Sequence, residues 1–470
     1  MKKFIAWLIC GCMVAATLTG CGGGAGKDTS GEPAAGGQSA ETTQSAGSDA
    51  SGSKVINVWS FTDEVPNMIE KYKELHPDFD YEIKSTIIAT TDGAYQPALD
   101  QALAAGGKDA PDIYCAEAAF VLKYSQGDAS SYAAPYEDLG IDVAAMTKEA
   151  DIAQYAIDIG TNQDGKVAAL GYQATGGAFI YRRSIAKDVW GTDDPKEVAA
   201  KIGGGSGSWD KFFAASEELK AKGYGMISGD GDLWHAVENS SDKGWIVDGK
   251  LHIDPKREAF LDLSKELLDN GYENDTRDWQ DAWFADMKGE GAKPILGFFG
   301  PAWLINYTLA PNCGGTTVGE GTFGDWAVCD SPIGFFWGGT WLLANKDSQV
   351  KDAVADIIKW VTLDSSEDGL QYMWANGTMN ETGTKDAVAS GTVMSKSDGS
   401  VDFLGGQNMF DVFVPANQYA NGTNLTQFDE TINTYWRDQV REYTAGNKSR
   451  EQAIADFKQA VADNLDIQAE

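Results

Sequence analysis

From Lys54 onward, short apolar runs of strand type alternate with amphipathic segments, and this alternation limits the folds open to the chain. "KVINVWS" (54–60) reads as a strand. "DEVPNMIEKYKELH" follows, with Val65, Met68, Ile69, Tyr72 and Leu75 at helical spacing and Thr62 or Asp63 as a natural cap. "YEIKSTII" is a strand, "AYQPALDQALAAGG" a helix stopped by glycines, and "PDIYCAE" a further strand carrying Cys115 as buried filler. Strands and helices in turn imply parallel βαβ units and a sheet covered on both faces.

The glycine-linked runs of "GKVAALGYQATGGAFIYRR" lead into a mainly helical stretch. In "SWDKFFAASEELKAKG", Ser208 caps, Phe212, Phe213, Ser216 and Leu219 point inward, and Gly223 stops the helix. "DPKREAFLDLSKELLDNG" opens on Asp254-Pro255 and closes on Asn270-Gly271, a matched start and stop. "DWAVCDSPIGFFWGGTWLLANKDS" is strand-rich, and amphipathic segments such as "DSQVKDAVADIIKWVT" and "REQAIADFKQAVADNL" fill the tail. Trp360, between Ile357 and Val361, is a core position on such a segment. The length after residue 53 suits two lobes better than one core.

Ahead of this lies a different kind of sequence. Lys2 and Lys3 precede an apolar run, residues 4–18, that is shorter than the roughly 20 residues of a permanent membrane helix and fits a secretory signal. Leu18-Thr19-Gly20-Cys21 resembles the lipobox of bacterial lipoproteins, which implies that Cys21 is acylated and becomes the mature N-terminus. Residues 22–53 hold Gly, Ser, Thr, Ala, Gln and acids with no aromatic, a composition expected to stay disordered and act as a tether. The expected location is the cell membrane, by lipid anchor, on the extracellular or periplasmic side.

The net charge of −33 argues against nucleic acid or an anionic membrane face as partner, and favours a neutral or cationic ligand. His76, His235 and His252 share no metal-ligand spacing, and neither HExxH nor a GxSxG elbow occurs, so no metal, cofactor or catalytic residue is expected. Cys313 and Cys329 flank a glycine-rich excursion; a disulfide there, worth about 3 kcal/mol by loop closure, and two free thiols are both open.

In order and spacing, "INVWSF", "PDIYCAEAAF", "GKVAALGYQATGGAFIYRR", "SWDKFFAASEELKAKG", "FADMKGEGAKPILGFFGPAW" and "SPIGFFWGGTWLLANKDSQVKDAVADIIKWVT" resemble the carbohydrate-binding, maltose-binding-protein-like group of extracellular solute-binding proteins of ABC importers. That resemblance implies an α/β, two-lobed periplasmic-binding-protein-like fold, each lobe a mixed sheet flanked by helices. Hinge crossovers would fall near Ala169–Gly171, Cys329–Ile333 and Asn376–Glu381, with ligand in the cleft between the lobes, off the carboxyl ends of strands. Residues 1–20 would be signal peptide, 21–53 lipidated cysteine and linker, 54–169 and 332–378 lobe 1, and 170–331 and 379–470 lobe 2.

Sugars need aromatic faces to stack on and carboxylates or amides to bond their hydroxyls. Asp63 and Glu64, at the first strand-to-helix turn, sit where the family carries polar ligand contacts; Asp63 also fits a plain helix cap. Glu117 ends the third strand and is a candidate hydroxyl acceptor. Thr175 falls where maltose-type binders often hold an acid, a departure from the pattern. The resemblance makes "GDGDLWHAV" a glycine-rich turn that brings Asp232 and Trp234 to the cleft, and gives Trp303 and Trp436 stacking positions. In "FFWGGTWLL", two glycines permit close backbone approach, so Trp337 or Trp341 flanks the ligand, unless the segment is a central strand packed on both faces.

The favoured function is a monomeric, lipid-anchored receptor that captures an oligosaccharide and delivers it to ABC permease subunits. A surface carbohydrate-active hydrolase or lyase, and the same fold binding a peptide or polyamine, are the alternatives.

Overall fold

The computed structural model describes residues 54–90 and 93–469. The signal segment, Cys21 and the 21–53 tether lie outside these residues. The strands in chain order are β1 (Val55–Ser60), β2 (Glu82–Ile87), β3 (Ile113–Glu117), β4 (Ala169–Gly171), β5 (Ala178–Arg182), β6 (Ile246–Val247), β7 (Lys250–Leu251), β8 (Gly297–Gly300), β9 (Trp326–Cys329) and β10 (Thr340–Ala344). They form a five-stranded sheet ordered β2-β1-β3-β10-β4, a three-stranded sheet ordered β8-β5-β9, and the small β6-β7 hairpin.

The five-stranded sheet is mixed. β1 pairs in parallel with β2 and β3, as the βαβ reading requires, whereas β10 runs antiparallel to both β3 and β4. All five residues of β10 are buried, as expected for a central strand covered on both faces. The three-stranded sheet is antiparallel throughout. It separates two cores by strict alternation: Phe179 and Tyr181 face one, Ile180 the other, and Phe298/Phe299 and Trp326/Ala327 divide the same way.

The chain crosses from the first sheet to the second between β4 and β5, through residues 172–177, and returns between β9 and β10, through 330–339. These crossings lie a few residues past the expected positions. The third differs more. Residues 386–394, expected in lobe 2, stay with the first sheet: Gln173 bridges to Val388, Ile152 bridges to Ser390, and Ser390 Oγ donates to the Ala150 carbonyl at 2.6 Å. The chain leaves only afterwards, to reach β9 and β5 through the turn at 402–404 and the helix Phe410–Ala416.

Start and stop chemistry is realised where it was strongest. Asp254 caps Pro255–Asn270 by accepting from the Lys256 N–H, and Gly271 ends it with φ +65°. Val65, Met68, Ile69 and Tyr72 of Glu64–Leu75 are buried, but Leu75 is exposed because the helix ends there. Trp360 and Cys115 are both core residues. Cys313 and Cys329 are free thiols in different cores; the Cys313 thiol donates to the carbonyls of Ala310 and Gly315.

Candidate functional site

β1 and β3 run in parallel, so their carboxyl ends open on one rim. There the chain turns into helices, and backbone groups and side chains converge without a strand to occupy them. Phe61, Thr62 and Glu64 follow β1, Glu117 ends β3, and Gln173 begins the crossing after β4. With Trp279, Trp303, Tyr307 and Trp337 they enclose a cavity of about 340 Å³.

Four rings form its aromatic wall. Trp279 and Trp303 lie 6.4 Å apart, with planes only 8° from parallel. Trp337 is 4.7 Å from Trp303 and 6.3 Å from Trp279, and Tyr307 is 6.3 Å from both Trp279 and Trp303. Tyr307 is 53% exposed and Trp279 37%, although rings of that size normally seek cover. Tyr307 is presented by a wide π-helical turn, Ile305–Leu309, a distortion frequent at functional sites. Trp279 adopts φ +65°, a left-handed conformation rare for a bulky residue.

The floor is the crossing between β9 and β10. Gly338 and Gly339 have φ +73° and +111°, and a Cβ on either would come within 3.2 Å of Trp303 or 3.0 Å of Trp341. Thr175, fully buried, lies beneath this floor. Its hydroxyl donates to the Gly338 carbonyl at 3.1 Å, and its own carbonyl accepts from the Trp337 N–H at 3.1 Å. It fixes the floor and touches no cavity.

Two carboxyls face the cavity. Glu64 accepts a hydrogen bond from the Tyr172 hydroxyl, and Glu117 accepts from the Ala119 N–H at 2.8 Å. Burial, reinforced by Asp386 and Asp63, pushes the Glu64 carboxyl up to about 8. Burial likewise pushes Glu117 up to about 8, against the Ala119 hydrogen bond and with Glu430 and Glu238 adding to it. Carboxyls that keep their protons at neutral pH both donate and accept, which suits hydroxyl partners.

Two further cavities adjoin it. Glu64 and Tyr307 also line a chamber of about 730 Å³ beside Asp63, Asn67, Trp374 and Asn380. Glu117 and Trp337 also line a recess of about 60 Å³ beside Glu238 and Asn239. No lysine or arginine lines the central cavity or the recess, and Lys71 of the larger chamber is paired with Glu74 at 3.0 Å.

The structure therefore brings together Asp63, Glu64, Glu117, Trp303 and Trp337 from the sequence-based set, and sends the others elsewhere. Asp232 is fully buried: the "GDGDLWHAV" segment is the helix Asp230–Glu238, not a turn, and Asp232 caps its start. Its carboxylate accepts from the N–H groups of Ser228 and Gly229 and from the Trp283 indole at 3.2 Å. Trp234 on the same helix packs on Phe260 in the second core, 4.8 Å between ring centres. Trp436 is fully buried against Trp245 and Phe457. Trp341 lies in β10 under the sheet, its indole N–H donating to the Ala156 carbonyl at 3.0 Å. Missed were Trp279, Tyr307, Phe61 and Gln173. For Trp279 a signal existed, a lone tryptophan in the polar run "ENDTRDWQD" after a helix stop.

Residues 59–368, well over half of the chain, match the family of bacterial extracellular solute-binding proteins. The chain belongs to that family. No curated protein matches this solute-binding protein. Among solved structures, it is similar to an extracellular solute-binding protein of family 1, at 18% identity and a TM-score of 0.68, over 86% of this chain and 98% of that one. An ABC-transporter-associated binding protein of B. animalis subsp. lactis, solved with β-1,6-galactobiose, aligns at 20% identity and a TM-score of 0.62, over 87% and 97% of the two chains. The galacto-N-biose/lacto-N-biose I-binding protein of the ABC transporter from Bifidobacterium longum, solved with lacto-N-biose, aligns at 16% and 0.65, over 90% and 100%. At such identities the likeness is one of fold. The family is extracellular, and no helix among the described residues of this member is long and apolar enough to cross a membrane.

Proposed function

We propose that this solute-binding protein captures a neutral oligosaccharide between its lobes and hands it to the membrane subunits of an ABC importer. The observation that carries the reading is the wall of Trp279, Trp303, Trp337 and Tyr307 facing two carboxyls that hold their protons. Indole and phenol faces match the C–H faces of pyranose rings, and proton-holding carboxyls match hydroxyls. A second chamber on the far side of Glu64 and Tyr307 supports a ligand longer than one ring. Fold relatives solved with β-1,6-galactobiose, lacto-N-biose and acarbose support a sugar over a peptide or polyamine.

Glu64 follows β1 and Glu117 ends β3 of the first sheet, while Trp279 precedes and Trp303 follows β8 of the second, so a ligand that touches all four favours the closed arrangement. The closed form is then what the permease recognises. Cys21, acylated, would hold this monomer at the outer face of the cell membrane, with residues 22–53 as its tether.

Calorimetry with neutral di- to tetrasaccharides, followed by small-angle scattering, tests the reading: binding is accompanied by a smaller radius of gyration. The absence of heat across the panel, or binding without compaction, overturns it. Replacement of Cys21 by serine should release the protein into the medium.

A further inference from the structure

Trp337 has two faces. One lines the ligand cavity; the other is covered by the imidazole of His235, with ring centres 3.5 Å apart and planes 13° from parallel. His235 Nε2 donates to Asp278 Oδ2 at 3.0 Å, and both side chains are almost wholly enclosed. Asp278 directly precedes Trp279, the ring on the other part of the wall, whose φ of +65° needs its surroundings to hold it there. A continuous path thus runs from one tryptophan through imidazole and carboxylate to the backbone of the next.

The surroundings are shaped for this pair. Gly231 leaves room for it, since a Cβ there would meet Asp278 Oδ1 at 2.1 Å. Among the described residues neither Asp278 Oδ1 nor His235 Nδ1 has a hydrogen-bond partner, and the Nε2–Oδ2 bond joins the pair. Burial alone would raise the Asp278 carboxyl; the hydrogen bond and charge of His235, with Arg437 and Arg441, hold it below the ordinary value. Glu238 and Asp232 on the histidine's own helix complete the charged groups around it, and Arg437 is itself paired with Asp230 at 2.9 Å.

We propose that His235 and Asp278 are positioning residues for ligand binding, a bracket that holds the Trp337 and Trp279 rings at their working separation without touching ligand. The proposal rests on the sugar-binding reading for its effect on affinity, but the bracket itself can be read without any ligand. Indole rings held at fixed mutual angles give a near-ultraviolet circular dichroism band that weakens when their packing loosens, so the bracket has a spectroscopic signature.

The test uses the full chain, as wild type, His235→Gln and Asp278→Asn, with thermal melting as the control on folding. The near-ultraviolet band of the wild type is expected to weaken in both His235→Gln and Asp278→Asn while the far-ultraviolet signal stays unchanged. Affinity for whichever neutral oligosaccharide the calorimetric panel identifies should fall about tenfold in Asp278→Asn. A near-ultraviolet band identical in the wild type and in both folded variants overturns the bracket. Unchanged affinity in a folded Asp278→Asn overturns its role in binding. If no glycan binds, the sugar reading fails while the near-ultraviolet band still decides the bracket.

Discussion

Trp303 donates its indole N–H to the Trp337 carbonyl at 3.0 Å, so that one wall ring is fastened to the backbone of another. The ring that offers its face to a ligand is thereby also a strut for the interlobe crossing. Trp303→Phe keeps a ring but leaves the carbonyl unpaired, and should weaken binding by about 0.5–1.5 kcal/mol. Trp303→Ala removes the face as well and should cost at least tenfold in Kd. Calorimetry on the two variants separates the stack from the strut.

Asp232 and Trp436 should behave in the opposite way. Asp232→Ala strands two backbone N–H groups and the Trp283 indole, so denaturant unfolding should show a loss of about 1–3 kcal/mol or more. Trp436→Ala opens a cavity in the second core and should cost about 3–5 kcal/mol. Under conditions where either remains folded, its ligand affinity should match the wild type.

Gly339 has φ +111°, and a Cβ there would press on Trp341 and Thr175. Gly339→Ala should destabilise the fold by about 1–3 kcal/mol through backbone strain. It should also weaken ligand binding, because the same backbone is the cavity floor. Melting temperature and Kd should therefore move together, unlike the Trp436 variant, in which only the first moves.

Stability of the ligand-free protein should depend on pH with a definite sign. Glu64 and Glu117 release their protons near 4.5 when unfolded but only at about 8 when folded, so folding takes up protons between these values. Their contribution to stability is fully present below the unfolded value and is lost as pH rises through about 8. Asp386, raised to about 7 by burial, and Glu273, raised to about 9 by burial and nearby acids, act in the same direction. Thermal melts across this range should show the decline, and Glu117→Gln should flatten it.

The sequence made the β1-to-β3 half of the first sheet readable because parallel units leave a local signature of strand, helix and stop signal. Glu64 and Glu117 were found for that reason: they sit at strand ends, where any such sheet exposes its site. The antiparallel insertion of β10 left no local mark, since a buried run reads alike in either direction. The tryptophans divided by helix register. Trp234 and Trp436 stand on helices whose cleft-facing side depends on tertiary packing, and Asp232 looked like a turn residue because Gly229 and Gly231 ahead of it hid the helix start. Trp279 and Tyr307 depend on a left-handed residue and a widened turn, which tertiary contacts impose and composition does not announce.

β10 is inserted between β3 and β4 only after the chain has built the whole second sheet, with Thr340 pairing back to Glu117. A nascent polypeptide halted before residue 340 therefore carries two bare, sticky strand margins and no completed lobe. Splitting the gene between the lobes will not give two soluble halves, and secretion must deliver nearly the entire molecule before its first half can mature.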